Sequence, residues 1–212
     1  MSNWNLGRLL GRTPAPRVRF KPADQNVGAR EKLTFTFDAD KVGEVPHGAE
    51  VFSGEWQVRK ETNAPTPPNA LCQIGQARFP AITLTGAVYA DVSVSVQFKP
   101  ISGRQDQAGG IIFRVQDKDN YYILRANALE NNVNFYKYVG GQRHTLNRAQ
   151  AAVPTGLWQA LRVEVRGNRM QGYLNDMLVV ETTDDTFAAG RVGLWTKADS
   201  VTCFADVQIT PL

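Results

Sequence analysis

Residues 109–139 read GGIIFRVQDKDNYYILRANALENNVNFYKYV. Three runs rich in β-branched and aromatic residues, GGIIFRVQ, YYILRAN and VNFYKYV, are separated by Asp-Lys-Asp-Asn and by a loop holding Glu-Asn-Asn. That is the punctuation of consecutive antiparallel strands. A simple hairpin across 117–120 sets residue 116 opposite 121, 114 opposite 123 and 112 opposite 125. One face is then Ile111, Phe113, Val115, Tyr122, Leu124 and Ala126, and it reads as core. The other carries Ile112, Arg114, Gln116, Tyr121, Ile123, Arg125 and Asn127. With Phe135 beside Leu124, residues Asn134, Tyr136 and Tyr138 join the Arg125 side; a one-residue slip in register would reverse this.

The same texture extends both ways. DVSVSVQF (91–98) alternates without a fault: Val92, Val94, Val96 and Phe98 against Asp91, Ser93, Ser95 and Gln97. LWQALRVEVRG alternates again at Leu161, Val163 and Val165. Gly140-Gly141, Gly167-Asn168 and Asn175-Asp176 suit tight hairpin turns. Roughly a dozen short strands at this spacing predict an all-β sandwich or barrel. The one helical candidate in the body, LNRAQAAV, is set aside because everything around it is strand-like. The body is one domain, residues 32–212. Residues 1–31 form an arm in which Trp4, Leu6, Leu9 and Leu10 suit a short amphipathic turn and Pro14, Pro16 and Pro22 stop it.

The net charge of +4 is unevenly placed. Residues 1–32 carry +5, and the remaining 180 residues hold 17 basic and 18 acidic side chains. A nearly neutral body argues against nucleic-acid binding there, because phosphate recognition needs a basic face. The arm reads either as a solvated tail or as a docking element for an acidic protein partner or membrane surface. No apolar run nears the roughly 18 residues of a membrane span. The opening MSNWNLGRLLGR lacks the apolar core of a secretory signal, although a mature chain restarted with Met would look the same. Cys72 and Cys203 lie outside any CxxC pair, so zinc is disfavoured. Buried free thiols are expected, with a disulfide the alternative should their strands be neighbours.

Two arginines, three tyrosines and two asparagines share the face opposite the core. Flat rings cover the C–H faces of a pyranose, and Arg and Asn offer paired bonds to its hydroxyls. The bland alternative is an amphipathic sheet face with Arg stems lying over Ile and Tyr. Trp195 and Lys197 alternate with Val192, Leu194 and Thr196 and so point away from that strand's apolar side. Trp195 is either packing or a sugar platform.

The stretches VSVQFKPISGRQDQAGGIIFRVQDKDNYYILRANALENNVNFYKYVGGQR, LWQALRVEVRGNRMQGYLND and GRVGLWTKADSVTCFADV resemble bacterial concanavalin A-like domains of the laminin-G-like and family-16-glycosidase-like kind. They are similar to the bacterial 3-keto-disaccharide hydrolase group. The resemblance spans about residues 33–210. It implies a two-sheet antiparallel jelly roll, a carbohydrate ligand on the concave sheet or its rim, and frequent export. It implies carbohydrate-binding candidates Arg114, Tyr121, Arg125, Asn127, Asn134, Tyr136, Trp195 and Lys197. If the domain cleaves keto-sugar glycosides by proton abstraction, Glu130, His144 and Lys197 are the acid–base candidates and Arg114 or Arg125 the electrophilic partner. The Glu-x-Asp-x-x-Glu strand of the glucanase relatives is absent, and Asp117/Asp119 and Asp184/Asp185 lie in turns. Relatives often hold one calcium by the first and last strands, which singles out Asp38 and Asp206 for a structural Ca²⁺; no cofactor is required. GxSxG, HExxH, P-loop and dinucleotide motifs are all missing, and His47 and His144 stand far apart.

The sequence thus leaves three readings: a non-catalytic lectin-like domain, a 3-keto-glycoside hydrolase or lyase, and an assembly module docked through its arm.

Overall fold

The computed structural model describes residues 31–212, so the basic arm, apart from Glu31, lies outside the described residues. The strands are β1 (Leu33–Phe35), β2 (Glu50–Ser53), β3 (Trp56–Lys60), β4 (Asn69–Gln73), β5 (Ala81–Thr83), β6 (Val92–Ser102), β7 (Ala108–Asp117), β8 (Asn120–Asn127), β9 (Asn132–Val139), β10 (Gln142–Gln150), β11 (Gln159–Arg166), β12 (Arg169–Leu174), β13 (Met177–Thr183), β14 (Arg191–Trp195) and β15 (Val201–Pro211). The doubtful helix at 146–153 is indeed mostly strand β10.

They form two antiparallel sheets. The first runs β13-β12-β11-β6-β15-β4-β3, with β1 added on β15; the second runs β10-β9-β8-β7-β14-β5-β2. The alternation in the sequence explains how they face. Val92, Val94, Val96 and Phe98 of β6 and Leu161, Val163 and Val165 of β11 are buried, and the residues between them are half-exposed. From the second sheet Ile111, Phe113, Tyr122, Leu124, Ala126, Val133 and Phe135 enter the same cluster. Each fully buried Leu, Ile or Phe there contributes about 1.5–3 kcal/mol.

Two expectations change. Cys72 and Cys203 stand directly opposite each other on β4 and β15 and form a disulfide, Sγ–Sγ 2.00 Å. They are not free thiols. The β7–β8 register also differs. The turn is two residues, Lys118-Asp119, with Asp117 opposite Asn120, Ile112 opposite Ile123 and Gly110 opposite Arg125. The surplus residues of β7 are taken up in a bulge between Phe113 and Asp117, where Arg114 adopts φ 48°. A bulge re-aims the side chains on either side of it. Val115 leaves the core for the outer face of the sheet, and Arg114 leaves the Arg125 face altogether.

Downstream of the bulge the predicted faces hold. Leu124 pairs with Phe135, Arg125 with Asn134 and Ile123 with Tyr136. The outer face of the second sheet therefore carries one continuous row, Trp195, Gly110, Arg125, Asn134 and Arg148, across β14, β7, β8, β9 and β10. Glycine at 110 keeps the floor low between Trp195 and Arg125, and a Cβ there would lie 2.8 Å from the Leu124 carbonyl oxygen.

Candidate functional site

Arg125 occupies the middle of this row and is 1% exposed. Its Nη2 donates to Glu130 Oε2 (2.7 Å) and Asn132 Oδ1 (2.5 Å). Asn134 satisfies its amide when Oδ1 faces Arg125 Nη2 (3.0 Å) and the Tyr136 hydroxyl (2.9 Å) and its nitrogen faces the Val133 carbonyl. The guanidinium also lies 5.4 Å from the Tyr136 ring centre. Among the described residues Arg125 Nε, itself buried, has no partner. A buried donor left idle costs free energy unless something outside the protein uses it.

The β8–β9 loop delivers Glu130. Asn127 Oδ1 accepts from the backbone N–H groups of Leu129 and Glu130, and its amide nitrogen donates to Asp106 Oδ1 (2.6 Å). Asp106, 2% exposed, also pairs with Lys197 Nζ at 2.8 Å. Asp199 accepts from the backbone N–H groups of Arg104, Gln105 and Asp106 and so fixes that wall; these bonds hold its carboxyl below the usual range. The GLWTKADS stretch thus supplies floor, ion pair and loop cap. Burial pushes the Glu130 carboxyl up, but hydrogen bonds from Arg125 and Asn132 and the charges of Arg125 and Lys197 outweigh it, leaving it below its ordinary value.

A second arginine completes the site. Arg143, opposite Tyr138 on β10, lies 4.5 Å from the Tyr136 ring centre and 5.1 Å from that of Phe79. Its Nη1 is buried without a hydrogen-bond partner among the described residues. Phe79, from the loop between β4 and β5, stacks on Trp195 at 5.5 Å and meets Tyr138 edge-on at 5.6 Å. It roofs Trp195, which is 0% exposed.

The trough is consequently divided. A cleft of about 460 Å³ is lined by Gln76, Arg78, Phe79, Gln105, Asp106 and Lys197. A smaller one of about 200 Å³, lined by Phe52, Phe79, Lys118, Asp119, Tyr121 and Tyr138, lies across the Arg78–Phe79 tip.

The structure brings together Arg125, Asn127, Glu130, Asn134, Tyr136 and Lys197. Of these, Glu130 and Lys197 reach the surface and the other four are buried; Tyr121 and Trp195 share the face and are buried as well, Trp195 as packing beneath Phe79 and not as a platform. Arg114 sits elsewhere, bonded to the carbonyls of Ala90, Phe187 and Gly167. His144 pairs in register with Lys137, whose side chain reaches Asp184; it is on the opposite face from Arg143 and separate from Glu130.

Sequence reasoning passed over Arg143, Phe79, Asp106 and Asn132. Arg143 was within reach: a two-glycine turn places residue 143 beside 138. Phe79 had no signal, because it arrives from a loop remote in the chain.

Asp38 and Asp206 flank the β1–β15 edge, with Phe35 opposite Val207 and Asp206 at φ 50°. Calcium takes six to eight oxygens. The Phe37 carbonyl beside them already accepts from Asn69 Nδ2 (3.0 Å) and the Asp40 N–H (3.2 Å). Among the described residues no group of three His, Cys, Asp or Glu side chains converges. These residues alone do not make a calcium cage.

Two antiparallel sheets, with a polar cleft on the outside of one, define a concanavalin A-like β-sandwich. The chain belongs to the 3-keto-alpha-glucoside-1,2-lyase-like domain family, whose pattern matches residues 48–210. It is 27% identical over 122 residues to the levanase of Bacillus subtilis (strain 168), covering 57% of this chain and only 18% of that enzyme. In structure it is similar to the carbohydrate binding module CBM66 from Bacillus subtilis (TM-score 0.64, 23% identity, covering 77% of this chain and 95% of the module). The Bacillus licheniformis β-glucanase shares the fold at TM-score 0.59 and 11% identity, covering 87% of this chain and all of that one.

Proposed function

We propose that this protein is a non-catalytic carbohydrate-binding domain whose ligand lies on the outer face of the second sheet, in the cleft lined by Phe79, Asp106 and Lys197, where Lys197 is close enough to the Arg125–Glu130 pair for its charge to act on Glu130. One observation carries the reading: Arg125 is buried, held in place by Glu130, Asn132 and Asn134, and still has an idle Nε. Donors fixed by neighbours before a ligand arrives are what polar recognition of a sugar needs. The likeness to CBM66, a carbohydrate binding module by name, supports it. Binding requires no cofactor.

The test is affinity electrophoresis or calorimetry against a panel of neutral and acidic polysaccharides. Binding that disappears in Arg125→Ala, with the circular dichroism spectrum unchanged, is the expected result. Silence against the whole panel ends the proposal.

Family membership favours a second reading, cleavage of 3-keto-glycosides. Its base would be Glu130, close enough to Lys197 to feel its charge. The chemistry of that carboxylate argues for binding instead. A general base works best with a pKa near the operating pH, and Glu130 is held on the acid side of its ordinary value. Turnover of a 3-keto disaccharide, followed by loss of substrate and abolished in Glu130→Gln, would reinstate the enzyme.

A further inference from the structure

The proposed ligand site holds more positive charge than its own acids can balance. Arg78, Arg125, Arg143, Arg148 and Lys197 stand on or around this face. The carboxylates among them are Asp106, committed to Lys197 and Asn127, and Glu130, committed to Arg125 and Asn132. Asp199, on the same wall, is committed to the backbone N–H groups of Arg104, Gln105 and Asp106, so five cations meet three anions. Lys118 and Asp119 beyond Phe79 pair with each other, and Arg191 on the far flank pairs with Glu50. Among the described residues Arg78 lies over the Phe79 ring with no carboxylate paired to it, and the rest of the surplus is Arg143 and Arg148 of β10. Among the described residues neither has a carboxylate within ion-pairing distance, and Arg148 bonds only to the neutral Thr145 hydroxyl and, through its N–H, to Asn147.

The rest of the body does not share this excess, since residues 33–212 hold 17 basic and 18 acidic side chains. The charge is also poorly placed for a structural role. Burial lowers the Arg143 pKa and so does the Arg125 charge, against the pull of Tyr136, Asp106 and Glu130. Two guanidiniums flank one tyrosine ring, and each retains a buried N–H without an acceptor. A planar anion at the half-exposed Arg143 would relieve the repulsion, with the buried Arg125 adding its charge from beneath. Guanidinium geometry matches a carboxylate.

We propose, resting on the carbohydrate-binding reading above, that the ligand is an acidic glycan whose carboxylate, as in a hexuronate residue, is received by Arg143 beside Phe79, over the charge of the buried Arg125. Arg148 extends the positive row toward the next acidic unit of the chain. An edge strand rich in arginine also discourages edge-to-edge pairing. That role asks for charge, and it does not ask for two arginines turned over one ring with idle buried donors.

The test uses the full chain and oligosaccharides of galacturonate, glucuronate and mannuronate, each paired with its methyl ester. The ester keeps the sugar and removes the charge. The expected result is an acid bound about tenfold or more tightly than its ester, as charge-assisted bonds are about twice as strong as neutral ones. That ratio should collapse toward one in Arg143→Gln and survive in part in Arg143→Lys. Equal binding of acid and ester overturns the inference and leaves carbohydrate binding standing, as does binding of neutral glycans alone. An acid preference unchanged in Arg143→Gln also overturns it. Poly-L-glutamate bound as tightly as the uronates reduces the site to a general polyanion patch and overturns it too. No glycan bound in any arm removes this inference together with the function beneath it.

Discussion

Arg114 and Arg125 sit on adjacent strands, β7 and β8, are 3% and 1% exposed, and have opposite fates. Arg114 is surrounded by backbone. Its Nε and Nη2 donate to Ala90 O (3.1 and 2.9 Å), Nη1 to Phe187 O (3.0 Å) and Nη2 also to Gly167 O (2.7 Å), with Asp91 at 3.6 Å. Every nitrogen is used, and the acceptors come from three separate loops. Arg125 is held by side chains on one nitrogen and keeps another idle. A cation with a closed set of partners ties the fold together; one that keeps an idle donor has capacity left for a ligand. Burial alone does not distinguish the two, and the partner count does.

The largest expected effect breaks this comparison at Arg114. Arg114→Ala orphans carbonyls from three loops and should cost about 3 kcal/mol or more in a denaturant titration, with sugar binding retained in the fraction that stays folded. Arg125→Ala should cost less stability and more binding. It too empties a fully buried position, but its main partner Glu130 is 43% exposed and can rehydrate, so stability should fall by about 2 kcal/mol. Affinity for the glycan should fall about a hundredfold, as when a central anchoring arginine is removed. If both variants behave alike, the distinction is empty.

How far the sequence reveals this difference depends on geometry within each strand. DVSVSVQF and RVEVR announce their faces because period-two alternation survives any choice of partner. YYILRAN and VNFYKYV likewise kept Arg125, Asn134 and Tyr136 together. Arg114 was misplaced because nothing in GGIIFRVQDKDN marks a bulge: the extra residues are absorbed by φ 48° at an arginine, a conformation uncommon outside glycine. Phe79 was illegible for another reason. Its contacts with Trp195, Tyr138 and Arg143 join segments far apart in the chain, and no local pattern encodes them.

Phe79 offers a smaller effect that sharpens the picture of the ligand face. Phe79→Ala should merge the two clefts and uncover Trp195. Loss of a half-buried ring costs about 1–2 kcal/mol. The tryptophan emission should shift to the red, and glycan affinity should weaken where the ring met the sugar. Unchanged emission would mean that Trp195 is shielded by something other than Phe79.

Glu130 gives an effect of pH whose sign is fixed by its environment. Its carboxyl is lower in the folded chain than in the unfolded one. The unfolded chain therefore binds more protons, and stability rises with pH across that interval. The contribution is fully present above the ordinary carboxylate range of about 4 and is lost as pH falls through the folded value. Asp184 is displaced in the same direction: burial alone would raise it, but bonds from Lys137, Thr186 and Tyr122 bring it below the usual range. It lies outside the Arg125 site and is unchanged in a Glu130→Gln variant. Between about pH 5 and pH 3, that variant should lose stability less steeply than the parent, and the difference belongs to Glu130. Identical slopes would show that Arg125 does not hold the carboxylate.

The smallest effect expected is that of calcium. Asp38 and Asp206 can contribute two carboxylates at the β1–β15 edge, while the carbonyl of Phe37, the residue before Asp38, is already occupied by Asn69 and the Asp40 N–H. An ion there would need most of its oxygens from water, so its affinity would be low and its linkage to folding weak. It would also sit on the first sheet, whereas the glycan site is on the outer face of the second. Sugar affinity should therefore be the same in EDTA and in millimolar calcium, and the melting temperature should move by no more than about 2 °C, the shift expected for well under 1 kcal/mol in a domain of this size. A larger rise, abolished in Asp206→Asn, would establish a structural calcium site at that edge. A change in sugar affinity would go further, because it would show that the two sheets are coupled through the sandwich and that the Arg125 face is not independent of β1.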